Sequence, residues 1–347
     1  MTGTLRVATV IPTLNESDSI ERCIQSLLSQ TYPPENHRII VVDGGSSDDT
    51  VEKVNQLISK TTQASTSLPQ NPRIEILFNS KKYTPSARNI ALKHVSGEVD
   101  LVFEMIGHAF LPSEHIEKRV ADLIEIEAIQ GRRIAGVGTL VTPDSEVSGM
   151  FGRWVEATLL SPLGNSGGQF DQFKGREKHH IPAFVIHRIE ALEDVGGWDE
   201  NLHTNQDSDI SMRLIKKNWQ LWRSDASSIQ MTKRSNPISL IKMSWRYGSW
   251  RMQTLKRHPE RGSVREILPA FGVLLTLILY AMIPQYWLIP IYAYAIALFL
   301  DSIRGAVKQR QITLILGLPI CLLILHTFFT MGLLSATFRR PANISDR

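Results

Sequence analysis

The stretch IIVVDGGSSDDT, Ile39 to Thr50, sets the fold class. Its four apolar residues read as the end of a strand that begins at His37. Asp43 closes the run, Gly44 and Gly45 permit a tight turn, and Ser46 to Thr50 are rich in residues that cap a helix start. A helix, SSDDTVEKVNQLISK, follows. The same alternation extends on both sides. Upstream lie the apolar strand RVATVIPTL and the segment SDSIERCIQSLLSQ, which places Ile20, Ile24, Leu27 and Leu28 on one helical face with Ser17 or Asp18 as cap. Downstream, a polar loop over 61–72 leads to the strand RIEILFN, the helix SARNIALKHV and the strand VDLVFEMI. Strands alternating with helices over the first 110 residues predict an α/β fold with a mainly parallel central sheet.

Ligands of such open sheets bind beyond the carboxyl ends of the strands. Thr13, Asn15 and Glu16 follow the first strand, Asp43 the second and His108 the fourth, so several polar groups converge on one edge. Neither a G-x-G-x-x-G nor a Walker sequence occurs, which argues against dehydrogenase and P-loop chemistry.

The 347 residues carry a formal net charge of +4, a mild balance, but hydropathy splits sharply along the chain. Up to about Gly262 the sequence is mixed; beyond it apolar runs dominate. ILPAFGVLLTLILYAMI and YWLIPIYAYAIALFL have 17 and 15 residues, a little under the roughly 20 that cross a bilayer. With only Pro284 and Gln285 between them they read as a tight transmembrane hairpin. ITLILGLPICLLILHTFFTMGLLSATF is long enough to span, and the sequence leaves open whether it crosses or folds back. A soluble buried helical core is the alternative reading of all three runs. The N-terminus shows no signal-peptide pattern. Arg304, Lys308 and Arg310 follow the second run, so the positive-inside rule predicts a multi-pass membrane protein with its polar part on the cytoplasmic face. Cys23 and Cys321 stand in unlike segments, and no structural disulfide is expected. The expected domains are 1–235, catalytic; 236–266, interfacial; and 267–338, two to three transmembrane helices.

VIPTLNESDSIERCIQSLLSQTYP, IIVVDGGSSDDT, SARNIAL and VGGWDENLHTNQDSDISMRLIKKNW together resemble a family 2 inverting glycosyltransferase of the GT-A fold, over about residues 7–225. GHAFLP, SPLGNSGGQF and WRYGSWR are similar to the membrane-anchored succinoglycan and exopolysaccharide branch. The resemblance implies a hexosyltransferase with a nucleotide-sugar donor. It places Asp43 against the base, Thr13 and Glu16 along the nucleoside pocket, and Arg88 on the phosphates. Plain readings stand beside these: Asp43 and Glu16 as turn or cap residues, Arg88 as half of an ion pair.

Such enzymes usually end the fourth strand in Asp-x-Asp to bind a divalent metal. Here the matching trio is Ile106-Gly107-His108. The exopolysaccharide branch has Asp-Gly/Ala-His, so His108 fits it and Ile106 departs from it. His108 is the implied metal or diphosphate contact, with Mn²⁺ or Mg²⁺ as the implied cation. Alternation puts Glu104, Ile106 and His108 on one face, so Glu104 is a second candidate ligand about 6–7 Å behind the usual position. Its other reading is a buried carboxylate paired with a basic neighbour.

A single inverting displacement needs a carboxylate to take the acceptor's proton. The resemblance assigns that base to Asp207, with Gln206 replacing the family's glutamate; a helix cap is the alternative. Asp209 would serve the same first turn. Trp198 in VGGWDE is expected to wall the acceptor pocket. The segments 164–170 and 175–180 flank a polar loop, and His179–His180 reads as a solvent-facing pair.

SWRYGSWRMQTLKRHPERGSVRE interleaves six basic residues with Trp245, Tyr247 and Trp250 just before the first apolar run. This predicts an interfacial segment on acidic lipid rather than a nucleic-acid surface. Arg246-Tyr247 resembles the Arg-Trp pair of processive relatives near the acceptor, while Met243 replaces the preceding Gln. The expected partners are a nucleotide-sugar donor, a lipid-linked acceptor (polyprenyl phosphate or diphosphate-oligosaccharide) and the membrane, with no nucleic acid. Two alternatives remain open: a catalytically silent nucleotide-sugar-binding scaffold, and a polyprenyl-phosphate mono-glycosyltransferase.

Overall fold

The computed structural model describes residues 4–63, 71–131, 133–144, 149–165, 171–232, 236–339 and 341. The chain divides into two compact units. Met1–Thr142 with Gln172–Thr232 form the first, and Pro143–Asp171 with Lys233–Arg347 the second.

The first unit is built on a mixed nine-stranded sheet. Its strands are β1 (Val7–Thr13), β2 (His37–Asp43), β3 (Arg73–Phe78), β4 (Leu101–Glu104), β5 (Ala109–Phe110), β6 (Ile134–Pro143), β7 (Arg176–Lys178), β8 (Ala183–Arg188) and β9 (Gln220–Met231). They lie in the order β3-β2-β1-β4-β8-β6-β9-β5, with β7 on β9. The first four in that order are parallel, as the helical crossovers α1 (Ile20–Leu28), α2 (Thr50–Gln63) and α3 (Thr84–Val95) require. Registers Thr13↔Asp43 and Asp43↔Phe78 bring three strand ends level. β8 enters antiparallel and pairs His187 with Val102. With a side-chain period of two, His187 and Glu104 then share a face.

Core packing follows the apolar pattern. On α1, Ile20, Ile24 and Leu27 are buried as expected, but Cys23 takes the place of Leu28. The N-cap is Ser19 rather than Ser17 or Asp18, and the Ser17 amide donates to Asp48 instead. Cys23 and Cys321 are buried free thiols. The remaining helices of this unit are α4 (His115–Gln130), α6 (Ile189–Asp194) and α7 (Gln206–Lys216).

The second unit gathers α5 (Met150–Leu160), α8 (Pro237–Arg257), α9 (Val264–Met282), α10 (Ile289–Gln309) and α11 (Leu314–Phe338). Segment 143–171, expected within the catalytic part, belongs here for an apolar reason. Val155 and Leu159 pack with Leu240, Met243 and Cys321, while Ala157 joins Leu298, Leu314 and Leu322. α8 and α11 touch backbone to backbone where Gly248 faces the Phe329 carbonyl and Gly332 the Trp245 carbonyl, the small-residue contact of closely approaching helices. Three helices, at 264–282, 284–309 and 314–338, are long and apolar enough to cross a membrane. The first two outrun their apolar runs, so even the 19-residue α9 reaches about 28 Å. The second span opens with a single 3₁₀ turn, Pro284–Tyr286, which lies between α9 and α10.

Candidate active site

Asp207 stands in the first turn of α7, behind an N-cap, Asn205, in the left-handed region at φ 62°. Its side chain keeps 49% of its surface open. The Arg88 guanidinium, delivered from α3, donates Nη1 to Asp207 Oδ1. The other arm of the fork, Nη2, lies 3.0 Å from Glu104 Oε2 at the end of β4. Glu104 Oε1 in turn meets His187 Nε2 of β8 at 2.7 Å. Arg88, Glu104 and His187 are all buried. Arg88 Nε and His187 Nδ1 are buried without hydrogen-bond partners.

Trp198 covers this chain of charges. Its ring lies 5.5 Å from the Arg88 guanidinium and edge-on to His187. Asn89, next to Arg88 on α3, clips the Trp198 backbone, accepting from its N–H and donating to its carbonyl, both at 2.8 Å. Gly197 makes the clip possible: its φ is +70°, and a Cβ would fall 2.5 Å from Asn89 Oδ1.

The two carboxyls respond oppositely to their surroundings. Burial pushes Glu104 up, but Arg88, then His187, outweigh it and hold Glu104 below the usual carboxylate range. Burial raises Asp207 above that range; Arg88 opposes the rise, and the Glu104 charge adds to it. The open half of the Asp207 side chain tempers the desolvation. Asp209, two residues on, is buried against Arg213 at 2.7 Å and steadies the helix start.

At the level strand ends, Asp43 organises its own turn. Oδ2 accepts the Gly45 and Ser46 amides at 2.8 and 2.9 Å, while Oδ1 accepts the Ser46 hydroxyl at 2.6 Å and Thr13 Oγ1 at 3.2 Å. Beside that turn, Phe78 leaves 69% of its surface exposed.

Glu16 reaches His108, its Oε1 2.8 Å from Nδ1, and a Cβ on Gly107 would press against Glu16 at 3.1 Å. A carboxylate on one ring nitrogen is a common way to orient a metal-ligating histidine. Glu104, the second candidate ligand, is placed elsewhere: buried, with both oxygens engaged by Arg88 and His187. Among the described residues no group of three or more His, Cys, Asp or Glu could hold a metal by itself. Of the two candidate ligands, His108 alone stands clear of the Arg88 network, so the described residues do not cage a cation by themselves.

Arg246 and Tyr247 belong to α8 in the second unit, the guanidinium 5.3 Å from the ring centroid. Of the segment 164–170, residues 166–170 lie outside the described residues. The structure thus joins Arg88, Glu104, Asp207 and Trp198, and separately Thr13 with Asp43 and Glu16 with His108. His187 and Asn89 were not singled out from the sequence; both act through partners about a hundred positions away, so no local motif marks them.

A family model described as glycosyl transferase family 2 matches residues 9–195, more than half the chain. The chain belongs to glycosyltransferase family 2. This family 2 chain is 27% identical over 315 residues to the succinoglycan biosynthesis protein ExoA of Rhizobium meliloti, covering 87% of this chain and 86% of that protein. A dolichyl N-acetyl-alpha-D-glucosaminyl phosphate 3-beta-D-2,3-diacetamido-2,3-dideoxy-beta-D-glucuronosyltransferase of Methanococcus voltae is 24% identical, covering 94% of this chain and 95% of that protein. The mannosyltransferase PcManGT of Pyrobaculum calidifontis, solved with GDP-Man and Mn²⁺, superposes with a TM-score of 0.58 at 16% identity, covering 97% of this chain and 88% of that one. The fold of this family 2 transferase is GT-A.

Proposed function

We propose that this transferase moves a sugar from a nucleotide-sugar donor, with inversion at the anomeric carbon, onto a lipid-linked acceptor at the cytoplasmic face of a membrane. The observation that carries the reading is Asp207: a half-open carboxylate in the first turn of α7, braced by the buried Arg88. As the acceptor oxygen bonds to the anomeric carbon, its proton passes to Asp207 and the bond to the diphosphate breaks. In this reading Asp43 holds the base and Thr13 lines the nucleoside pocket, which their joint place at the level strand ends supports. His108, oriented by Glu16, would hold the divalent cation together with the donor phosphates. When bound, that cation neutralises charge on the departing diphosphate. Glu16→Gln is expected to raise the Mn²⁺ concentration giving half-maximal rate by about 10–100-fold, read from a metal titration of initial rates.

Three apolar helices, with Arg304 and Lys308 toward the end of the second and Arg310 just after it, support membrane anchoring with the catalytic part in the cytoplasm. Arg246 and Tyr247 in the basic, aromatic α8 suit the phosphate of a lipid acceptor. The test uses the full chain in nanodiscs with a panel of UDP- and GDP-sugars, offered polyprenyl phosphate, a polyprenyl-diphosphate saccharide or a free saccharide. Transfer to a lipid with inverted linkage is the expected result. Transfer to the free saccharide alone would remove the lipid acceptor from the proposal.

A further inference from the structure

Resting on the reading of Asp207 as base, the geometry points to Glu104 as a positioning residue for the reaction: it occupies one arm of the Arg88 fork, held there by His187, so that Asp207 meets the acceptor hydroxyl as an under-neutralised carboxylate.

The argument is one of counting charges around a single guanidinium. Arg88 of α3 faces two carboxylates, Asp207 of α7 at Nη1 and Glu104 of β4 at Nη2. His187 of β8 touches Glu104 through Nε2, and its Nδ1 is buried without a partner. The Arg88 guanidinium thus brings one positive charge to two carboxylates. This trio becomes neutral when Asp207 accepts a proton, which is the event the transfer requires. If Asp207 alone paired with Arg88, the guanidinium would quench it, making a stable ion pair and a poor base. Glu104 prevents that by drawing on the same cation. The exposures fit the division of labour: Glu104 is sealed at 5% and Asp207 is half open at 49%.

Glu104→Gln keeps the size of the side chain and an acceptor for Arg88 while removing the competing charge. Arg88 then acts fully on Asp207 and favours its ionised form, so the acid limb of the pH dependence of kcat/KM moves to lower pH. The plateau rate falls on the order of tenfold because the base is weaker. The donor KM stays as in the wild type. Glu104→Asp, which draws the charge back by one methylene, moves the limb the same way by less and carries the test should the Gln variant not fold. A merely structural role for Glu104 would lower thermal stability and leave the limb in place; an unmoved limb in a folded variant overturns the inference. Asp207→Asn separates this from the underlying reading. If it retains full turnover, the base assignment itself is wrong; if it is inactive while the Glu104 limb stays put, only the role of Glu104 falls.

Discussion

Asp207→Asn is expected to lower kcat about 10²–10⁴-fold, the usual contribution of a positioned general base, while leaving the dissociation constant of the donor nucleotide within about threefold. The amide has the shape of the carboxylate and still accepts from Arg88 Nη1, so the contact with α3 survives. What it cannot do is take a proton. Calorimetric titration with UDP and GDP, beside initial rates on the same preparation, checks both halves. The pH dependence is a second signature. Transfer needs Asp207 ionised, so activity falls as pH drops through its folded-state value, which burial and Glu104 hold above that of a free aspartate. The linked stability has the opposite sign. A carboxyl raised on folding favours the folded state below its unfolded value, and that contribution is lost as pH rises through the folded value. Glu104, lowered on folding, gives stability that is present above its unfolded value and lost as pH falls through the folded one. At neutral pH, then, Asp207 is a functional cost to the fold and Glu104 a support.

The sheet half of the architecture was legible because β1 to β4 and their crossover helices repeat a local pattern, with each boundary marked by capping or turn residues. The same pattern exposed the strand ends, and with them Thr13, Asp43 and the turn leading to His108. What the sequence could not show was how charges pair over long separations. Arg88 and Asp207 are 119 positions apart, and nothing near either residue marks the other as its partner. The resemblance placed Arg88 on phosphate, a role that an arginine near a helix start also suits; the three-dimensional neighbours place it between two carboxylates. Glu104 had two readings, a second metal ligand because alternation put it on the face of His108, or a buried carboxylate paired with a basic neighbour. Alternation gives the face but not the depth, and at the end of β4 the residue is sealed beside His187.

The allocation of α5 to the second unit was hidden for a related reason. Phe151, Trp154, Val155 and Leu159 read equally well as the apolar face of a helix on the sheet. Their partners are supplied by α8 and α11, whose closeness depends on Gly248 and Gly332. Small residues of that kind carry no periodic hydrophobic signal. The apolar helices of the second unit, by contrast, were legible in position and order from their long apolar runs, while the sequence left open whether two or three of them cross a bilayer.

Arg88→Met should be the most disruptive single change at the site. It removes the cation that two carboxylates share and leaves Glu104 buried with His187 alone. Breaking a buried pair by deleting one partner costs about 3–5 kcal/mol, so the thermal midpoint should fall clearly and transfer should be lost. Arg88→Lys recovers only part of either, because a point-like ammonium cannot reproduce the two arms of the fork. Adding Glu104→Gln to Arg88→Met should restore much of the lost stability, since removing both members of a buried pair is far less costly than removing one. The cycle of two single variants and the double variant, followed by thermal unfolding, gives the coupling directly. A phosphate-binding Arg88 makes the contrary prediction: weaker donor binding, an unchanged midpoint and no rescue by Glu104→Gln. The measured stability of the double variant therefore decides whether this arginine serves the donor or the base.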